Sequence, residues 1–136
     1  MLENLVIPLN FIGITETGLK DKIKAKNSSI LPRYNHFDCC TASNRGGARI
    51  YISEGFNTSP RDDLTLYKKN EIESVVKEVV YENGRNNFIV ACIYKHPSAD
   101  NENFLSLYSN FLDKILSENK KAIIMGDSNL TIVQEH

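Results

Sequence analysis

Residues 88–94 read Phe-Ile-Val-Ala-Cys-Ile-Tyr, and this run constrains the fold more than any other segment. A strand with one face in water alternates apolar and polar side chains, whereas a nearly unbroken apolar strand needs cover on both faces. Pro97 ends the run. The best-patterned element follows it. Phe104, Leu107, Tyr108, Phe111, Leu112 and Ile115 recur at intervals of three and four, which predicts a helix with a single apolar stripe. Ser98 or Asp100 can cap its start, and Lys120-Lys121 closes it.

The rest of the chain supplies short strands. Residues 11–14 and 122–125 are short apolar runs, and 36–41 and 48–53 read as strands joined by the turn Asn44-Arg45-Gly46-Gly47. Residues 73–81 alternate in part, with Val75, Val79 and Tyr81 spaced along one strand face, and Glu82-Asn83-Gly84-Arg85 turns the chain back into the apolar run. Residues 20–32 read as a solvated loop; the alternating Lys20, Lys22, Lys24 and Lys26 offer a phosphate-tracking strip as the sharper alternative. Residues 54–69 are polar and read as an excursion outside the core. Hairpin strands, one good helix and a last strand predict an α/β (α+β) fold with a mixed sheet and packed helices, not a plain doubly wound sheet.

The global numbers set bounds. A chain of 136 residues is one domain or part of one, and its 41% apolar content can build a core. With 16 basic and 17 acidic residues the net charge is -1, so contact with nucleic acid must be local. Of the three cysteines, Cys39 and Cys40 are adjacent and Cys92 lies inside the apolar run, which predicts free, buried thiols and a reducing, intracellular setting, nuclear or cytoplasmic. No run approaches the ~20 apolar residues of a membrane span, and residues 1–4 lack the pattern of a signal peptide, so no membrane partner is expected.

Two strands end in acids. Residues 122–125 run into Gly126-Asp127-Ser128-Asn129, and residues 11–14 run into Thr15-Glu16-Thr17. A carboxylate just past the end of a buried strand is held rigidly at the rim of a sheet, where α/β proteins place their sites. Acids and an amide converging there suit a Mg²⁺ ion and a phosphate better than a core.

Five segments in order carry a resemblance: residues 11–17, residues 43–52 with the Gly46-Gly47 turn, Glu71-Ile72-Glu73-Ser74, Ile93-Tyr94-Lys95-His96-Pro97, and Ile124-Met125-Gly126-Asp127-Ser128-Asn129. Together they resemble the endonuclease/exonuclease/phosphatase (deoxyribonuclease-I-like) superfamily, and within it the endonuclease domain of LINE-type, jockey-like non-LTR retrotransposons. The resemblance implies a four-layer α/β sandwich and a metal-dependent phosphodiesterase that nicks DNA. It implies Glu16 as ligand to Mg²⁺, with Mn²⁺ as an alternative; Asp127 as the group that orients or deprotonates the attacking water; Asn129 as an amide donor to the phosphate; and Tyr94 as a hydroxyl donor to a non-bridging oxygen. Lys95 and His96 are candidate phosphate contacts, although the position of His96 varies in the family. It also implies that the strands at 11–14 and 122–125 are parallel neighbours and that Glu16, Asp127, Tyr94 and Asn129 open into one cleft.

The sequence departs from the family pattern at Gly18 and Ser128, where a bulky residue and Phe are usual. The family also has a first strand carrying a metal-site Asn, and a later half with an Asp-x-Asn pair and a Ser-Asp-His block, none of which is found in residues 1–136. The expectation is a partial domain, monomeric if folded, poorly stable and inactive on its own. A non-catalytic remnant with weak nucleic-acid or protein binding is the alternative. A phospholipid or inositol phosphate substrate is a third reading, which the block Tyr94-Lys95-His96-Pro97 disfavours.

Overall fold

The computed structural model describes residues 9–128. In chain order these form β1 (Phe11–Thr15), α1 (Lys22–Asn27), β2 (Tyr34–Cys39), β3 (Ala48–Ser53), β4 (Asn57–Pro60), β5 (Ile72–Val80), β6 (Phe88–Lys95), α2 (Asn101–Ser117) and β7 (Ala122–Asp127). The strands make two sheets. The smaller is antiparallel in the order β1-β3-β2, and the larger is mixed in the order β4-β5-β6-β7, with β6 and β7 parallel.

The apolar run of β6 is interior to its sheet and covered on both faces, as its composition requires. Val90 and Cys92 face the smaller sheet, packing with Ile50 and Ile52 of β3, with Val75 and Val79 of β5 and with Met125 of β7. Ile89, Ala91 and Ile93 face the other way, against Phe104, Phe111 and Ile115 of α2. Each large apolar side chain buried there contributes about 1.5–3 kcal/mol, so three anchors suffice to dock the helix. Asp100 caps α2, its side chain accepting the Glu102 N–H.

The outer face of the smaller sheet is held by a charge. Arg49 of β3 points away from the inter-sheet core, is buried, and donates to Asp38 (2.6 Å) and to the carbonyls of Ala25 (2.7 Å) and Ser28 (2.8 Å) around α1. Bidentate guanidinium pairing of this kind fixes geometry as well as charge. The layers are therefore α1, small sheet, large sheet and α2, a four-layer α+β sandwich.

Three details differ from the sequence reading. Residues 20–32 are not all loop: Asp21 caps α1 by accepting the Ile23 N–H at 2.8 Å. Residues 54–69 are not outside the core: β4 pairs with β5, and Leu64 and Leu66 are buried beneath α2. The strands at 11–14 and 122–125 are not parallel neighbours in one sheet. The first pairs with β3 and the last with β6, and the two meet face to face across the sandwich, where a Cβ on Gly13 would lie 2.9 Å from Met125 Cβ. Cys92 is buried and all three cysteines are free thiols. Among the described residues, no helix is long and apolar enough to cross a membrane.

Candidate functional site

At one end of the sandwich a cross-strand row forms on the large sheet. Tyr94 of β6 is in register with Glu73 of β5 on one side and with Asp127 of β7 on the other. Residues in register across a sheet project from the same face. That face is the inner one, because Cys92 and Met125, two residues earlier in β6 and β7, belong to the inter-sheet core. β1 lies opposite, so Glu16, just beyond its end, reaches the same place.

Glu16 sits in the left-handed region at φ +59°, a conformation that costs an L-residue roughly 1–2 kcal/mol. The Asn44–Gly47 turn holds it there: the Glu16 N–H donates to the Gly47 carbonyl and the Gly18 N–H to the Gly46 carbonyl, both at 2.8 Å. Tyr94 is 1% exposed, and its hydroxyl donates to Glu16 Oε1 at 3.3 Å. Burial, and then the negative charges of Glu16, Asp127 and Glu73, raise the Tyr94 pKa above the ordinary tyrosine value. The phenol therefore keeps its proton at neutral pH and remains a donor.

The donor set is hard oxygen. Glu16 and Asp127 are both exposed carboxylates, with the Tyr94 hydroxyl between their influences. Among the described residues no three His, Cys, Asp or Glu side chains gather as a complete metal cage. One or two carboxylates are what Mg²⁺ takes from a protein when waters and phosphate oxygens fill the rest of its shell, so these residues fit that ion.

Of the remaining expected residues, Lys95 lies apart from this row and His96 lies beside it. Lys95 follows Tyr94 in the strand and points to the opposite face. It is 1% exposed, and its ammonium donates to the His96 carbonyl. His96 is 6% exposed, with Nε2 bonded to Glu73 Oε1 at 2.9 Å. Strand alternation turns Lys95 away from Tyr94, whereas His96 stands edge-on to Tyr94, with ring centroids 4.8 Å apart, and its Nε2 is taken up by Glu73. Asn129 lies outside the described residues.

Glu73 is the residue that sequence reasoning missed. Its signal was its phase: it shares a strand face with Val75 and Val79, which places a carboxylate on the core side. The lysine-rich segment contributes Lys20, Lys22 and Lys26 to an open groove of about 1370 Å³ along β2, which Glu16, Tyr94 and Asp127 do not line.

No family model matches the chain, and no curated protein matches it in sequence. Solved structures do share its fold. The catalytic domain of APE2 from Xenopus laevis superposes with a TM-score of 0.59 at 15% identity, over 89% of this chain and 50% of that one. The endonuclease domain of TRAS1, a telomere-specific non-LTR retrotransposon, gives 0.53 at 16% identity over 75% and 43%. The human Nocturnin catalytic domain with bound sulfate gives 0.57 at 13% over 89% and 52%. All three are endonuclease/exonuclease/phosphatase superfamily proteins, and this chain has their fold. It spans about half the length of these structures.

Proposed function

We propose that this chain carries the metal- and phosphate-binding part of a phosphodiester-hydrolysing site of the DNA-nicking, retrotransposon-endonuclease kind. The observation that carries the reading is the convergence of Glu16 and Asp127 on the buried Tyr94 hydroxyl at one end of the two facing sheets. Glu16 holds Mg²⁺ or Mn²⁺, which supplies Lewis-acid stabilisation of charge on the phosphate. Asp127 orients the attacking water and accepts its proton. Tyr94 donates to a non-bridging oxygen, a neutral donor aimed where negative charge develops. Asn129 adds amide donors. DNA is the partner, and a reducing compartment agrees with three free thiols.

The test is plasmid nicking with Mg²⁺, on this chain and on a version lengthened at both ends. The lengthened protein is expected to nick and this chain to nick feebly or not at all. Glu16→Ala or Asp127→Ala should lower nicking by 10²-fold or more, roughly the contribution of a positioned acid–base group. Undiminished nicking in both variants would falsify the assignment. A second reading, a non-catalytic remnant that binds nucleic acid or protein weakly, is favoured by the exposure of β7, whose Ile123 is 40% exposed. DNA binding without nicking by the lengthened protein would support it.

A further inference from the structure

We infer that Glu73 is the positioning residue of the site, setting Glu16 through one arm and Tyr94 through the other; this rests on the functional reading given above. The first arm runs through the glycine turn. Glu73 Oε1 accepts the Gly47 N–H at 2.8 Å, and the Gly47 carbonyl accepts the Glu16 N–H at 2.8 Å. One residue thus relays the carboxylate to the strained backbone of Glu16. The second arm runs through His96. The same Oε1 bonds His96 Nε2 at 2.9 Å, and the His96 ring stands edge-on to Tyr94, with centroids 4.8 Å apart and planes at 69°. Glu73 also lies directly across the sheet from Tyr94.

The chemistry of Glu73 fits positioning better than stability. Its side chain is 0% exposed, Oε1 takes both bonds, and Oε2 has no hydrogen-bond partner among the described residues. A buried carboxylate with an unused oxygen is destabilising, and a neutral hydroxyl could anchor a turn at less cost. Side chains that break the local rules of a core cluster where geometry serves function. The fit leaves no slack: a Cβ on Gly46 would lie 2.3 Å from Glu73 Oε1 and 2.2 Å from Thr41 Oγ1.

The experiment compares wild type, Glu73→Leu and Glu73→Gln by amide and aromatic NMR shifts and by Mn²⁺ affinity from paramagnetic broadening. Glu73→Leu keeps the bulk without an acceptor. It should move the Glu16 and Gly47 amides and the Tyr94 ring signals, leave the α2 amides in place, and weaken Mn²⁺ binding about tenfold or more, as supporting residues behind a metal ligand do. Glu73→Gln keeps an acceptor oxygen and should retain Mn²⁺ affinity within about twofold, while the Gly47 amide proton moves upfield because a neutral acceptor bonds more weakly. Unmoved Glu16 and Gly47 amides in both variants overturn the inference, and so does unchanged Mn²⁺ affinity in a folded Glu73→Leu. If Glu73→Leu loses the α2 amides, the Gly47 and Glu16 shifts of Glu73→Gln decide alone. If wild type shows no Mn²⁺ broadening at Glu16, the functional reading falls, and the amide shifts still decide the role of Glu73.

Discussion

At the scale of single residues, the site is built by side chains whose backbone is fixed by something other than their own preference. Gly126 is the sharpest case. It adopts φ +129°, and a Cβ there would lie 1.9 Å from the Ile93 carbonyl oxygen, a backbone atom that cannot step aside. Gly126→Ala should cost about 3 kcal/mol or more from overlap and strain together, read as a lower urea midpoint, and should displace the adjacent Asp127. Glu16 and Asp127 stood out in the sequence as candidates because each follows the end of an apolar run, where an acid has little structural purpose, and Tyr94 was singled out only by the family resemblance. Glu73 did not stand out, because its phase with Val75 and Val79 put it on the apolar face but nothing in the sequence showed the buried partners that would hold a carboxylate there. The partner of His96 was hidden for the same reason: the pair is 23 residues apart and joined only by the β5–β6 register.

At the scale of elements, legibility follows apolar content. α2 announced itself through its stripe, and β6 through its unbroken run. β4 reads Asn-Thr-Ser-Pro and joins the sheet by backbone pairing alone, so nothing in its side chains could reveal it. What fastens that region is a charge network. Arg61, just after β4, donates to Glu78 of β5 at 2.7 Å and to Glu118, the C-terminal cap of α2, at 2.6 Å, and Lys120 donates to Glu78 at 2.9 Å. Burial pushes the Glu78 pKa up, but the bonds from Lys120, Asn87 and Arg61 outweigh it and hold the carboxyl down at about 2, against 4.5 unperturbed. The folded state thus binds the proton less readily than the unfolded chain. The contribution is complete above the unfolded value of 4.5 and is lost as pH falls toward 2. The urea midpoint should drop over that window, and Glu78→Gln should lower stability at neutral pH while flattening the acid limb. An acid limb equally steep in the variant would place the titration elsewhere.

At the scale of the whole molecule, the two sheets are unequally secured. The large sheet is assembled from sequential neighbours and clamped by α2, and β5 and β6 are each paired on both sides. β1 has a single hydrogen-bonded neighbour among the described residues, β3, which lies more than thirty residues away in sequence. Its other support comes from contacts across the sandwich: Gly13 meets Met125 on β7, the edge strand among the described residues, Phe11 packs on Phe56 and Phe88, and the Cys92 thiol donates to the Ile14 carbonyl at 3.6 Å. Paired on one side, β1 should open at a lower free energy than the core does. Its amides are expected to exchange with solvent well before those of β5 and β6; equal protection across all three strands would refute this. Glu16 hangs from the end of β1 while Tyr94 is rooted in the most secure strand of the fold. The site therefore joins a strand paired on one side to a strand paired on both, and it should come apart while the rest of the protein remains folded. In a urea titration, the Mn²⁺ binding proposed for Glu16 should vanish before the far-ultraviolet helix signal does. The gap between the two midpoints measures how firmly one five-residue strand is attached.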